Sequence, residues 1–225
     1  GDRVGEGRVL GNLGAVHEGL GDNEQALTYF QQSLDVARVL EDLQGISFAL
    51  SNIAHVYKNQ GNYSQAITYR EQAIAIDQER NDRASEGENL SSLGSLYAAQ
   101  GEYARAVETL QQSLVIAQDL DDRLGEGIAL GNLANVQTDQ GNYAKALSNY
   151  QQALTIFQEL GDRRSESKAL QQLGNIYANI RNYRRSLDYY KTSLAIAQEI
   201  GDRREEAYTL GPLGIVAREV GAMDD

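Results

Sequence analysis

"QGNYSQAI" at residues 60–67 returns as "QGEYARAV" at 100–107 and as "QGNYAKAL" at 140–147. The same slot holds "LGDNEQAL" at 20–27 and "IRNYRRSL" at 180–187. A sentence restated every 40 residues marks a chain built from one repeated supersecondary unit, and that period decides the fold before any single element does.

The columns on either side of the quoted stretch are helical. Leu10, Leu50, Leu90, Leu130, Leu170 and Leu210 share one column, followed three residues on by Leu13, Ile53, Leu93, Leu133, Leu173 and Leu213. Next come only small residues: Gly14, Ala54, Gly94, Ala134, Gly174 and Gly214. After another three stand His17, Tyr57, Tyr97, Gln137, Tyr177 and Ala217. Spacings of i, i+3, i+4 and i+7 draw one face of an α-helix, and the small residue in its middle lets a second helix come close. That second helix carries Ala26, Ala66, Ala106, Ala146 and Ser186, then Leu27, Ile67, Val107, Leu147 and Leu187. Seven further on lie Leu34, Ile74, Leu114, Leu154 and Leu194. No sustained period-two alternation competes with this reading.

Punctuation agrees with the columns. Gly21, Gly61, Gly101 and Gly141 fall where the first helix should stop, and glycine takes the left-handed conformation cheaply. Asp22, Asn62 and Asn142 follow as N-cap candidates. Asp2, Asp42, Asp82, Asp122, Asp162 and Asp202 can cap the first helices, with Gly161 and Gly201 ending the helices before two of them. The expectation is an all-α chain of about eleven helices in a single array spanning 1–225. Its repeats run over approximately 2–41, 42–81, 82–121, 122–161 and 162–201, with a terminal helix over 202–220. Arg181 replaces a turn glycine and should carry strain. Pro212 should kink or end the eleventh helix, and Gly221–Asp225 should fray. The chain opens at a repeat junction and closes after half a hairpin. A piece of a longer array is therefore expected, with exposed end faces open to self-association.

These columns resemble the tetratricopeptide repeat pattern W-x2-L-G-x2-Y…A-x3-F, with Tyr57, Tyr97, Tyr177, Tyr150 and Tyr190 in its aromatic positions. The Trp column is Leu throughout, the closing Pro is absent and the period is 40 rather than about 34. The long form, with its "LGDR" junctions, is similar to repeats of kinesin light chains and Pins/LGN-type adaptors, and to Gln-rich bacterial sensor arrays. The resemblance implies a right-handed α-solenoid whose concave groove, lined by first helices, binds a peptide or helix of another protein.

Helical geometry alone assigns the face opposite the core, which the resemblance implies is the groove. At about 100° per residue, the face opposite the core carries Asn12, then Phe48, Asn52, His55, Lys58 and Asn59, then Ser92. Further along it carries Asn132 and Asn135, then Lys168, Gln172, Asn175 and Asn179. This face is poor in Lys and Glu, and its amides can hold a peptide backbone without demanding one side chain. The alternative is that the amides are solvated or bond between repeats. The column Asn12, Asn52, Ser92, Asn132 and Gln172 matches the position where the family often places an Asn against ligand backbone. The Lys and Arg set of the family's chaperone-tail clamp does not map here.

Composition excludes more than it specifies. With 41% hydrophobic and 23% charged residues, the chain of 225 is an ordinary folded protein. A net charge of −12 argues against nucleic acid as a partner. No stretch suits a membrane span or a secretory signal, which makes a cytoplasmic protein the expectation. There is no cysteine, and His17 and His55 are the only histidines, without neighbours that complete a catalytic or metal set. No cofactor is expected and the chain reads as non-catalytic. The second reading is a regulatory or structural arm of a larger signalling protein, acting through intramolecular contacts or self-association.

Overall fold

The structure is a computed structural model that describes residues 2–224. Among the described residues it contains eleven α-helices and no strand: α1 (Arg3–Gly19), α2 (Asn23–Val39), α3 (Leu43–Asn59), α4 (Tyr63–Glu79), α5 (Arg83–Ala99), α6 (Tyr103–Asp119), α7 (Arg123–Asp139), α8 (Tyr143–Leu160), α9 (Arg163–Asn179), α10 (Tyr183–Glu199) and α11 (Arg203–Asp224). No helix among the described residues is long and apolar enough to cross a membrane. The helices divide between two compact units, one ending at Leu120 and the other beginning at Asp121. In the first, α1–α2, α3–α4 and α5–α6 form hairpins, and α2 and α4 pack on the helix that follows. In the second, α7–α8 and α9–α10 form hairpins, α8 packs on α9, and α11 packs on α10 and α9. Stacked helix–turn–helix repeats of this kind are the α-solenoid fold class.

The starts and stops follow the punctuation. Asp2, Asp42, Asp82, Asp122, Asp162 and Asp202 each accept a hydrogen bond from the backbone N–H three residues on, at 2.9–3.1 Å. Asp22 and Asn62 do the same for the second helices. Asn142 stands at its N-cap position without a cap bond, its side chain reaching Gln140 instead. All six turn glycines adopt positive φ, from +66° to +79°. Arg181 keeps that conformation at +60°, joined by Glu41, Asn81 and Asp121 at +53° to +55°. An L-residue there costs roughly 1–2 kcal/mol and glycine returns part of that as unfolded-state entropy. Glu41→Gly, Asp121→Gly and Arg181→Gly are each expected to raise stability by about 0.5–1 kcal/mol in denaturant titrations, and Asn81→Gly by less.

Packing alternates between odd and even repeats. A Cβ on Gly14 or Gly174 would lie 2.7 Å from the ring of Phe30 or Tyr190, so these first helices need glycine to seat the aromatic ring. The odd repeats also carry Ser33, Ser113 and Ser193, whose hydroxyls donate to the carbonyls of Gly7, Gly87 and Ser167. The even repeats place Ala54, Ala134, Ala73 and Ala153 in the same columns, all fully buried. The core of the first unit centres on Phe30, Leu34, Leu50, Ile53 and Val56. In the second, Leu133, Val136, Leu173, Ile176 and Tyr190 are buried.

The terminal helices depart from the pattern of the columns. Val9 and Val16 are each 58% exposed, while Ala49, Val56, Ala129 and Val136 in the same columns are buried. Leu13 and Leu210 are exposed for the same reason: their helices have a neighbour on one side only. Helix α11 runs through Pro212 to Asp224, so the proline does not end it and the helix continues past residue 220; Asp225 lies outside the described residues. Docking through the buried Glu205, Thr209 and Val216 holds the helix on both sides of the one hydrogen bond that proline removes.

Candidate functional site

Within each unit the outward face of the first helices carries shallow cavities. In the first unit, a cavity of about 490 Å³ between α1, α2 and α3 includes Arg8, Asn12, Val36 and Phe48 in its lining. A smaller one of about 250 Å³ has Phe48, Ser51, Glu88 and Ser92 in its lining together with Arg70 and Arg80. In the second unit, Asn132, Asn135, Lys168 and Gln172 converge on a cavity of about 450 Å³ with Ile128 and Gly131 between them. The remaining expected groove residues, Asn52, His55, Lys58, Asn59, Asn175 and Asn179, lie outside these three cavities.

Several expected ligand readers are engaged within the protein. Asn52 donates to the Phe48 carbonyl one turn back, at 2.8 Å. His55 and Asn59 both meet the Glu18 carboxylate of the preceding repeat, the latter at 3.1 Å. The Tyr150 hydroxyl donates to Asn135, and the Tyr190 hydroxyl donates to Asn175 at 2.6 Å. Each long tyrosine side chain thus crosses from the core to find an acceptor on the groove face. Asn175→Ala would strand a buried phenol, and we expect it to cost about 1–3 kcal/mol in a thermal melt. Lys58 and Asn179 stand exposed at the ends of their helices. Gly11 and Ser91, one residue before Asn12 and Ser92, are buried, because that column turns toward the next first helix: Ser51 donates to Asn89 at 2.9 Å and Gln171 to Thr209 at 3.3 Å.

Sequence reading missed a buried polar network in the first unit. Asp77 is fully buried and Arg70 is 8% exposed, the latter standing where other repeats have Phe30, Leu110, Tyr150 and Tyr190. Ser47 Oγ donates to Asp77 Oδ1 and Asn89 Nδ2 to Asp77 Oδ2, both at 2.6 Å. Arg70 Nη1 donates to Asn89 Oδ1, and its buried Nε has no acceptor among the described residues. Burial pulls the Arg70 guanidinium down to about 10, against the fields of Asp77 and Glu88. A break in a column was the available signal.

Other titrations follow from burial. Burial pushes Tyr97 up to about 12, helped by its bond to Glu71, and raises Tyr150, Tyr189 and Tyr190 as well. A raised tyrosine contributes stability that is whole below its unfolded value of 10.0 and lost as pH climbs through the folded value. Arg70, lowered, works in the opposite direction but is one group against four. Thermal melts are expected to fall in Tm as pH passes 10, and Tyr150→Phe to soften the fall. In the second unit, burial raises the Glu205 carboxyl in the lining of the cavity of about 450 Å³, opposed by Lys168.

The family model for the tetratricopeptide repeat matches residues 5–79, 45–119 and 85–159, and a second model of the same repeat matches 169–204. The chain belongs to the tetratricopeptide repeat family. Among solved structures, it resembles a Signal Transduction ATPase with Numerous Domains from Pyrococcus horikoshii that carries a tetratricopeptide repeat sensor. That match has TM-score 0.81 at 19% identity and covers 98% of this chain and 34% of that one. It also resembles nearly identical repeats of a putative kinesin light chain from Podospora anserina, with TM-score 0.70, 18% identity, and 87% and 96% coverage. A Rap protein complexed with Competence and Sporulation Factor gives 0.78 at 16% identity, covering 93% of this chain and 62% of that one. At these identities the likeness is one of fold. No curated protein matches the chain. Tetratricopeptide repeats are typically non-catalytic interaction scaffolds, and that is the coarse role of this fold.

Proposed function

We propose that this chain is a protein-interaction module that holds a peptide segment or helix of a partner against the outward face of its first helices. The observation that carries the reading is the cavity of about 450 Å³ in the second unit. Four side-chain amides (Asn132, Asn135, Gln171 and Gln172), a lysine and the exposed Ile128 line it, which suits a peptide backbone beside an apolar side chain. The Rap protein complexed with Competence and Sporulation Factor and the repeat sensor of the Pyrococcus horikoshii ATPase lend the reading support by analogy.

The test is a peptide-display selection on residues 1–225, counter-selected on an Asn132→Ala/Gln172→Ala variant whose helicity is checked by circular dichroism. Peptides enriched on the parent alone are the expected result. Peptides indifferent to both changes would sink the reading. A second reading, that the chain acts as an arm through self-association, draws on the exposed Val4, Val9 and Val16 of α1 and Leu20 just after it. It requires a mass that rises with concentration and returns to the monomer in Val9→Glu/Val16→Glu.

A further inference from the structure

Three residues break their columns together in one place. Arg70 replaces an aromatic or leucine, Asp77 replaces Ala37, Ala117, Phe157 or Ala197, and Asn89 replaces Val9, Ala49, Ala129 or Ala169. Neighbouring repeats fold with apolar side chains at all three positions, so the network is not what this architecture requires for stability. Its hydrogen bonds are unevenly shared. The Asp77 carboxylate accepts from Ser47, Asn89 and Arg80. The Arg70 guanidinium bonds the neutral oxygen of Asn89, no carboxylate bonds it directly, and its Nε lacks any acceptor among the described residues. A cation so deeply buried without a bonded counter-charge is costly, and it sits at the wall of a cavity of about 250 Å³ on the ligand face.

We propose that this cavity is a carboxylate-binding subsite, in which the Arg70 guanidinium receives an acidic side chain or the C-terminus of a peptide. The claim that the carboxylate belongs to a peptide rests on the ligand-face reading above; the site itself does not. The planar fork of arginine matches a carboxylate, and the hydroxyls of Ser51, Ser85 and Ser92 line the same cavity. The Phe48 ring at its rim is 53% exposed and can cover the stem of the incoming side chain. Glu88 also lines the cavity, and Asp82 does so while paired with Arg80 at 3.1 Å. These carboxylates favour a monoanion over a dianion such as phosphate. Arg70 lies on a second helix behind the groove, so the subsite does not remake the family's chaperone-tail clamp.

The test is an NMR titration of the isotopically labelled full chain. It follows the Arg70 Nε–Hε resonance, assigned by its disappearance in Arg70→Leu. The leucine of that variant stands at Leu110 in the next repeat, which favours a folded variant. The probes, at constant ionic strength, are N-acetylglutamate N′-methylamide, its glutamine counterpart, N-acetylalanine and inorganic phosphate. The expected result is a saturable shift with one or both carboxylates, the stronger naming side chain or terminus, and none with the glutamine amide. The exposed Glu88→Gln should tighten that binding about threefold by removing a rim charge. No shift, an equal response to phosphate, or no gain from Glu88→Gln would overturn the subsite. Display-selected peptides that bind the groove but ignore Arg70→Leu would overturn it too while leaving the groove reading intact. A carboxylate response without any groove peptide would support it while removing that reading.

Discussion

Asp77→Ala is expected to lower stability by about 3–5 kcal/mol, read as a shift in urea midpoint with an unchanged slope. The aspartate is 0% exposed and its two oxygens accept from Ser47, Asn89 and Arg80. Removing it leaves buried donors without acceptors and takes away the larger of the two negative fields acting on Arg70. The triple change Arg70→Leu/Asp77→Ala/Asn89→Ala should behave oppositely. It installs Leu110 and Ala117 of the next repeat and Ala129 of the one after, residues that are all buried and apolar. Replacing a complete buried ionic network by apolar groups of suitable shape is commonly neutral or stabilising by about 1–4 kcal/mol. The expected order is therefore single variant, parent, triple variant. A triple variant as weak as Asp77→Ala would show that the network does hold this repeat together, and the case for a ligand role at Arg70 would weaken with it.

The same network shows what columns reveal and what they hide. Hairpins, caps and left-handed turns were legible because each is a local rule applied five times, as at Gly21, Gly61, Gly101 and Gly141. Arg70, Asp77 and Asn89 were also printed in the sequence, as three departures from apolar columns, but columns read for their majority pass over exceptions. The roles of Asn135 and Asn175 were hidden for another reason. A helical wheel points them outward correctly, yet it knows nothing of a tyrosine 15 residues on whose hydroxyl reaches across to them. The groove face was therefore half legible: Asn132, Lys168 and Gln172 converge with Asn135 as the wheel suggests, whereas His55 and Asn59 meet Glu18 of another repeat. Contacts between repeats depend on stacking geometry, which periodicity alone does not carry.

Position within a stack should also set the cost of one and the same substitution. Leu13, Ile53, Leu93, Leu133 and Leu173 share a column, and sequence gives no reason to rank the leucines. The structure ranks them by exposure: Leu173 is 1% exposed, Leu133 4%, and Leu13 38%. Leu173 is enclosed because α9 has α8 on one side and α10 and α11 on the other; α1 has only α2 and α3. Leu173→Ala removes a fully buried side chain and leaves a cavity, at an expected cost of about 2–5 kcal/mol. At Leu13 water already covers much of the side chain, so Leu13→Ala should cost under about 1 kcal/mol. Because each repeat touches only its neighbours, the two losses should add when combined. Hydrogen exchange separates the causes. Leu173→Ala should speed exchange through α9 and α10 and leave α1 to α4 unchanged, whereas loss of protection throughout would mean that the chain unfolds as one cooperative body rather than repeat by repeat.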